Sequence, residues 1–216
     1  MYLKEALNYR GTPFEIPDAD RDDLPQFFVQ MGYKVGAEIG VYKGEYTKKF
    51  LDKGLKMYGI DPWRAYDNYN EFKNQGLGRF QERQDFLYAH TQRLLEPYGD
   101  LITLVRKSSM EAVEDFEDNS LDFVYIDGHH GFRYVAEDLC EWSQKVKVGG
   151  IIAGHDYALN KKGARDPYVL QVKYVLHAFV QAFGIDNWYV IGERNAKEGD
   201  RRDKWRSWFF VKEREI

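Results

Sequence analysis

The feature that most narrows the fold is an alternation. Short β-prone runs at Lys34–Ile39, Lys56–Ile60, Leu101–Arg106, Leu121–Ile126 and Gly150–Gly154 are separated by amphipathic stretches. Strands with helix-length stretches between them do not close as hairpins, so the pattern predicts βαβ units around a mostly parallel sheet. Periodicity locates the crossing helices. In Phe132–Val146 the apolar residues Phe132, Val135, Ala136, Leu139, Cys140 and Trp142 form a stripe near the helical period, with Arg133, Glu137, Asp138 and Glu141 largely elsewhere. Tyr168–Phe183 repeats the pattern through Val169, Val172, Val175, Leu176, Phe179, Val180 and Phe183, and Gly184 stops it. Arg79–Leu95 reads as a helix with Phe80, Leu87, His90 and Leu94 on one stripe.

The C-terminal end breaks the alternation. Trp188–Gly192 and Ser207–Lys212 are β-prone runs joined only by charged, glycine-containing chain, so they should pair as an antiparallel hairpin. The expected fold class is therefore α/β: a Rossmann-like, doubly wound, mostly parallel seven-stranded sheet with a C-terminal antiparallel hairpin. One domain over residues 1–216 is expected, with a helical and aromatic extension through residue 33, an insertion and helix over 62–100, and a substrate-side loop over 157–167.

Charge and cysteine usage limit the partners. A net charge of −4 argues against a binder of nucleic acid, whose affinity rests on an excess of Lys and Arg. The single cysteine, Cys140, excludes an internal disulfide framework and fits a reducing compartment. No window approaches the roughly 18 apolar residues of a membrane span. These features point to a cytoplasmic protein with a small-molecule partner and no membrane. The aromatic N-terminal segment through Phe28 is suited to pack on a second copy of the chain.

Polar groups gather where the strands end. The first strand leads into Glu38-Ile-Gly40, with Gly44 following, a turn that lets a ligand approach the backbone closely. Asp61 closes the second strand about twenty residues later, where nucleotide-binding α/β folds place an acid on ribose hydroxyls. A dinucleotide site would favour a third glycine, and position 42 is Tyr, which counts against an NAD-linked oxidoreductase. The fourth strand ends in Asp127-Gly-His129-His130, and the fifth in His155-Asp156. Parallel strands bring both ends to one edge of the sheet, so Asp127, His155 and Asp156 are expected to converge.

Taken in order, Glu38-Ile-Gly40…Gly44, Ile60-Asp61-Pro-Trp63, Leu121–His130 and Val148–Tyr157 resemble a class I S-adenosylmethionine-dependent methyltransferase. More narrowly, Asp-Gly-x-His, a helix, Gly-Gly and His-Asp-Tyr are similar to the branch containing small-molecule and sugar O-methyltransferases. The resemblance spans roughly residues 34–157 and implies S-adenosylmethionine as cofactor, with Glu38, Gly40 and Gly44 at its methionine portion, Asp61 on its ribose, and Ser108 and Ser109 beside its adenine. Asp127 closes the same cofactor crevice.

The same resemblance implies His130 as general base and Asp127, His155 and Asp156 as ligands of Mg²⁺ or another divalent cation. Mg²⁺ prefers oxygen ligands, whereas ligation by His155 would suit Mn²⁺, Fe²⁺ or Zn²⁺. His129 is expected to be a loop residue without chemistry. Lys161, Lys162 and Arg165 follow the last motif and would favour an anionic or sugar-like acceptor. A non-catalytic interaction protein on the same fold is the competing reading of another kind.

Overall fold

Leu121–Ile126 forms strand β5, in which Phe123, Val124 and Tyr125 are wholly buried. A strand apolar on both faces needs cover on both sides, and the rest of the fold supplies it. The computed structural model describes residues 3–66, 80–158, 170–193, 195–203 and 205–216. The remaining strands are β1 (Phe14–Ile16), β2 (Val35–Ile39), β3 (Lys56–Ile60), β4 (Ile102–Val105), β6 (Val146–Gly154), β7 (Trp188–Ile191) and β8 (Ser207–Val211). They form one sheet in the order β1-β7-β8-β6-β5-β2-β3-β4. Every neighbouring pair is parallel except those made by β8, which runs antiparallel to both β6 and β7.

All seven expected strands are present, and the C-terminal pair is the antiparallel hairpin that its short connection demands. The eighth strand comes from the N-terminal segment. β1 sets Phe14 opposite Tyr189 and Ile16 opposite Ile191, so the aromatic extension packs on its own sheet. Three residues carry too little alternation to register as a strand in sequence.

Helices α6 (Phe132–Lys145) and α7 (Val172–Ala182) cover one face, packing Leu139, Trp142, Leu176 and Phe179 with Val124, Ile152 and Trp208. Helices α1 (Leu3–Ala6), α2 (Leu24–Gln30) and α3 (Glu45–Leu51) cover the other, where Phe27, Phe28 and Phe50 meet Phe123, Tyr125 and Phe209. At roughly 1.5–3 kcal/mol for each large side chain fully buried, these layers hold the strand ends rigidly.

Three helices differ from expectation in ways that bear on the site. α4 (Gln81–Leu95) buries Gln84, Leu87, Thr91 and Leu95, while Phe80 stands largely exposed. The buried face is set by the glycine turn beneath it, where Thr91 donates to the carbonyl of Tyr42 at 3.0 Å. In α6 the buried face includes Asp138, and Phe132 is exposed. α7 starts at Val172, because Gln171 is committed to the preceding loop: its N–H donates to the His130 carbonyl at 2.9 Å and its side chain accepts from the Phe132 N–H at 2.6 Å. Among the described residues no helix is long and apolar enough to cross a membrane.

Candidate active site

Backbone hydrogen bonds place four strand ends side by side. Gly40 donates to the carbonyl of Ile60 (2.8 Å), Asp127 to that of Ile39 (2.8 Å), and His155 to that of Ile126 (3.1 Å). The residue following each strand is thereby locked to the end of its neighbour, which aligns Gly40, Asp61, Asp127 and His155 along one edge. Only glycine fits at position 40, where φ is +96° and a Cβ would lie 2.2 Å from the carbonyl oxygen of Asp127.

The turn from β2 to α3 is braced from beneath. Gly44, at φ +79°, precedes the first residue of α3. Tyr42 adopts a left-handed backbone (φ +54°) despite its side chain. Its N–H donates to Asp61 at 2.9 Å, and its carbonyl accepts from Trp63 Nε1 at 2.9 Å and from Thr91. Asp61 also accepts from the N–H of Trp63 at 2.8 Å. Burial raises the pKa of Asp61, and these backbone donors oppose the shift. Glu38 lies buried under the turn and accepts from the hydroxyl of Thr47. Burial pushes its carboxyl up to about 8 against that hydrogen bond, with the charge of Asp127 adding to the rise.

Across the edge the acids and imidazoles meet. His130 Nε2 lies 2.9 Å from Asp156 Oδ2 and 4.0 Å from Asp127 Oδ1. One donor atom each from Asp127, His130 and Asp156 falls within 4.8 Å of the others, a spacing open to a metal ion. His155 stands beside this group, with Nδ1 3.4 Å from Asp156 and 3.8 Å from Asp127 and with Nε2 3.8 Å from Asp203. Asp156 holds φ at +58°, a strained backbone of the kind that persists where surrounding structure over-determines it. His129 turns away: its Nδ1 accepts from the Gly131 N–H at 2.9 Å, and its ring packs on Tyr134.

The cluster splits its charges. Burial lifts Asp127 to about 6, and the charge of Asp156 pushes the same way against His155, His130 and Arg21. Asp156 is also buried, yet its pairing with His130 and His155 holds it far below the usual carboxylate range. Burial alone would depress His155, but pairing with Asp156 and Asp203 and the charge of Asp127 raise it to about 10.

Ser108 and Ser109 have structural partners. Ser108 caps α5 (Ser109–Ala112) in a reciprocal box with Glu111. Ser109 donates to Asp138 and accepts from Trp142 Nε1 at 2.7 Å. Three residues escaped the sequence reading. Asp138 was legible in principle, since Val135, Asp138, Leu139 and Trp142 share a helical face. Asp203 and Arg21 carried no local signal, because each reaches the cluster from a charged loop. Lys161, Lys162 and Arg165, and residues 67–79 of the expected insertion, lie outside the described residues.

Residues 37–157 match a family described as methyltransferase domain. A curated relative, "Uncharacterized protein y4gI" of Sinorhizobium fredii, is 25% identical over 112 residues, 52% of this chain and 11% of that protein. The chain thus spans about a tenth of the length of the curated relative it matches. Among solved structures, a Staphylococcus aureus protein provisionally described as a caffeoyl-CoA O-methyltransferase superposes with a TM-score of 0.61 at 13% identity, over 97% of this chain and 90% of that one. An O-methyltransferase of Bacillus cereus in complex with SAH gives 0.58 at 13% identity, over 88% and 80%. At such identities the likeness is one of fold.

Proposed function

Because the chain belongs to the methyltransferase-domain family, with residues 37–157 matched, we propose that it transfers a methyl group from S-adenosylmethionine to a hydroxyl of a small, sugar-like acceptor. The observation that carries this reading is the placement of His130 and Asp156, 2.9 Å apart, on the same sheet edge as the Gly40 turn and Asp61. When bound, S-adenosylmethionine supplies a methyl group on a sulfonium, which is already a good leaving group.

The residues at the edge fit that cofactor. Gly40 lets the end of β2 pack directly against the Asp127 carbonyl and Gly44 lets α3 start close under α4, and Asp61 retains lone pairs for ribose hydroxyls after accepting from the N–H groups of Tyr42 and Trp63. Glu38 underpins the turn. Ser108 and Ser109 would shape the wall beside the adenine, because their hydroxyls are already engaged within the protein.

An aliphatic hydroxyl is a poor nucleophile while it keeps its proton, so the protein's task is to orient it and remove that proton. His130 would accept the proton, and Asp156 would stabilise the imidazolium that results. His155, paired with Asp156 and Asp203, would hold the Asp156 carboxylate in place.

A second reading is favoured by the convergence of Asp127, His130 and Asp156. These residues would hold a divalent cation, which would polarise the acceptor oxygen and lower its pKa. One nitrogen and two carboxylates suit Mn²⁺, Fe²⁺ or Zn²⁺ better than Mg²⁺.

Calorimetric titration with S-adenosylmethionine and S-adenosylhomocysteine tests the proposal. Binding of both is expected, and no heat of binding by well-folded protein would sink it. A fluorescence change on titrating NADH would instead revive the oxidoreductase reading.

A further inference from the structure

Arg21 enters the cluster from the opposite end of the chain. Its Nη1 lies 3.3 Å from Asp127 Oδ2, and its guanidinium sits over the ring of Tyr46 at 4.4 Å. The backbone is pinned as well, since the Tyr46 hydroxyl donates to the Arg21 carbonyl at 2.6 Å. Asp20 and Asp23 close a capping box around the turn. Lys49 pairs with Asp22 at 2.5 Å, and Arg201 pairs with Asp20 at 3.1 Å. An arginine that merely neutralised Asp127 would not require its backbone, its ring platform and its turn to be fixed independently; such fixing is what pre-organises a binding group.

The fork is only partly used. One Nη meets Asp127, the other guanidinium N–H groups have no hydrogen-bond partner among the described residues, and the side chain remains 33% exposed. A guanidinium with a free edge is matched in geometry to the paired oxygens of a carboxylate or phosphate. Arg21 and His130 flank opposite oxygens of one carboxylate, Arg21 at Oδ2 and His130 at Oδ1 of Asp127. A ligand gripped by Arg21 therefore reaches His130 across the width of a single side chain.

We propose that Arg21 is a specificity-determining residue that binds an oxyanion of the acceptor, a carboxylate or phosphate a few bonds from the hydroxyl to be methylated. This assignment rests on the methyltransferase reading and narrows its substrate class to acidic hydroxy compounds. Asp127 excludes anions from one edge of the guanidinium and leaves the other edge as the docking side.

The test uses the full chain, with and without saturating S-adenosylhomocysteine. The guanidinium ¹⁵N–¹H signal of Arg21, identified by its loss in Arg21→Gln, is followed in titrations with sodium acetate, inorganic phosphate and sodium chloride at matched ionic strength. A saturable shift is expected with acetate or phosphate, at least about tenfold tighter than with chloride, and the stronger of the two names the oxyanion. Arg21→Gln should leave S-adenosylhomocysteine affinity unchanged. No saturable response to either oxyanion, or an equal response to chloride, overturns the proposal. So does a tenfold loss of S-adenosylhomocysteine affinity in Arg21→Gln, which would give the guanidinium to the cofactor.

If neutralising the ion pair disturbs folding, Arg21→Lys replaces it, because lysine keeps the charge and loses the fork. Its oxyanion affinity, read from chemical shifts of neighbouring backbone amides, should fall at least about threefold; unchanged affinity would reject fork recognition. Wild-type protein that failed to bind S-adenosylhomocysteine would defeat the methyltransferase reading, while the anion titration would still report on Arg21.

Discussion

His130 Nε2 lies 2.9 Å from Asp156 Oδ2, although one residue follows β5 and the other follows β6. A carboxylate on one imidazole nitrogen orients the ring and stabilises its protonated form, the arrangement expected of a general base. His130→Ala should therefore lower the rate of methyl transfer about 10²–10⁴-fold, measured with any acceptor the wild type turns over. Calorimetric affinity for S-adenosylhomocysteine should stay within about threefold, since only the chemical step is affected. Equal losses of turnover and cofactor affinity would place His130 in the binding scaffold.

The convergence of Asp127, His130 and Asp156 within 4.8 Å makes a separate prediction that needs no acceptor. After exhaustive chelation, added Mn²⁺ or Zn²⁺ should raise the thermal midpoint progressively with the logarithm of its free concentration above the dissociation constant, because a ligand that binds only the folded state stabilises it by mass action. Asp156→Asn should abolish the rise. A midpoint indifferent to divalent ions would leave the group working as a hydrogen-bonded dyad alone.

Lys212 is a buried cation far from this edge. Its Nζ meets the Val146 carbonyl (2.8 Å), Asn119 Oδ1 (3.2 Å) and Glu215 (2.9 Å). The contacts tie the chain after β8 to the start of β6, beside the register shift between Leu121 and Phe123. Lys212→Met should cost about 1–3 kcal/mol, because it leaves the buried Val146 carbonyl without its donor. Urea denaturation measures the loss, and a change under about 0.5 kcal/mol, the range of an ordinary surface substitution, would show that water replaces the ammonium without penalty.

The sequence made the frame legible because its signals are periodic and local. The apolar run of β5, the stripe of α7 and the charged link between β7 and β8 each declare their element within a few residues. The meeting of Asp127, His155 and Asp156 was also readable, since parallel strands deliver their ends to one edge. What stayed hidden depends on distant parts of the chain. The neighbours of Arg21, Asp127 and Tyr46, are fixed by tertiary packing, and Asp203 reaches His155 from the β7–β8 connection. The buried face of α4 was misplaced because its contact with the glycine turn uses Thr91, a polar residue that an apolar stripe passes over.

Asp138 combines that kind of concealment with a measurable consequence. It is buried on α6 and accepts from Ser109, which in turn accepts from Trp142. Burial pushes its carboxyl from 3.8 up to about 7, against the Ser109 hydrogen bond and with the charge of Glu137 adding. Below about pH 4 both folded and unfolded chains hold this proton. As pH rises through about 7 the unfolded chain has already released it, and the folded chain must ionise a buried group or stay protonated at a cost. Its contribution to stability is therefore full at acid pH and is lost by about pH 7. Asp138→Asn keeps an oxygen for Ser109 and removes the titration. Relative to wild type, the variant should gain up to roughly 3 kcal/mol between pH 4 and pH 8, read from urea midpoints at each pH. A difference between variant and wild type that stays constant across this range would mean that Asp138 is ionised throughout.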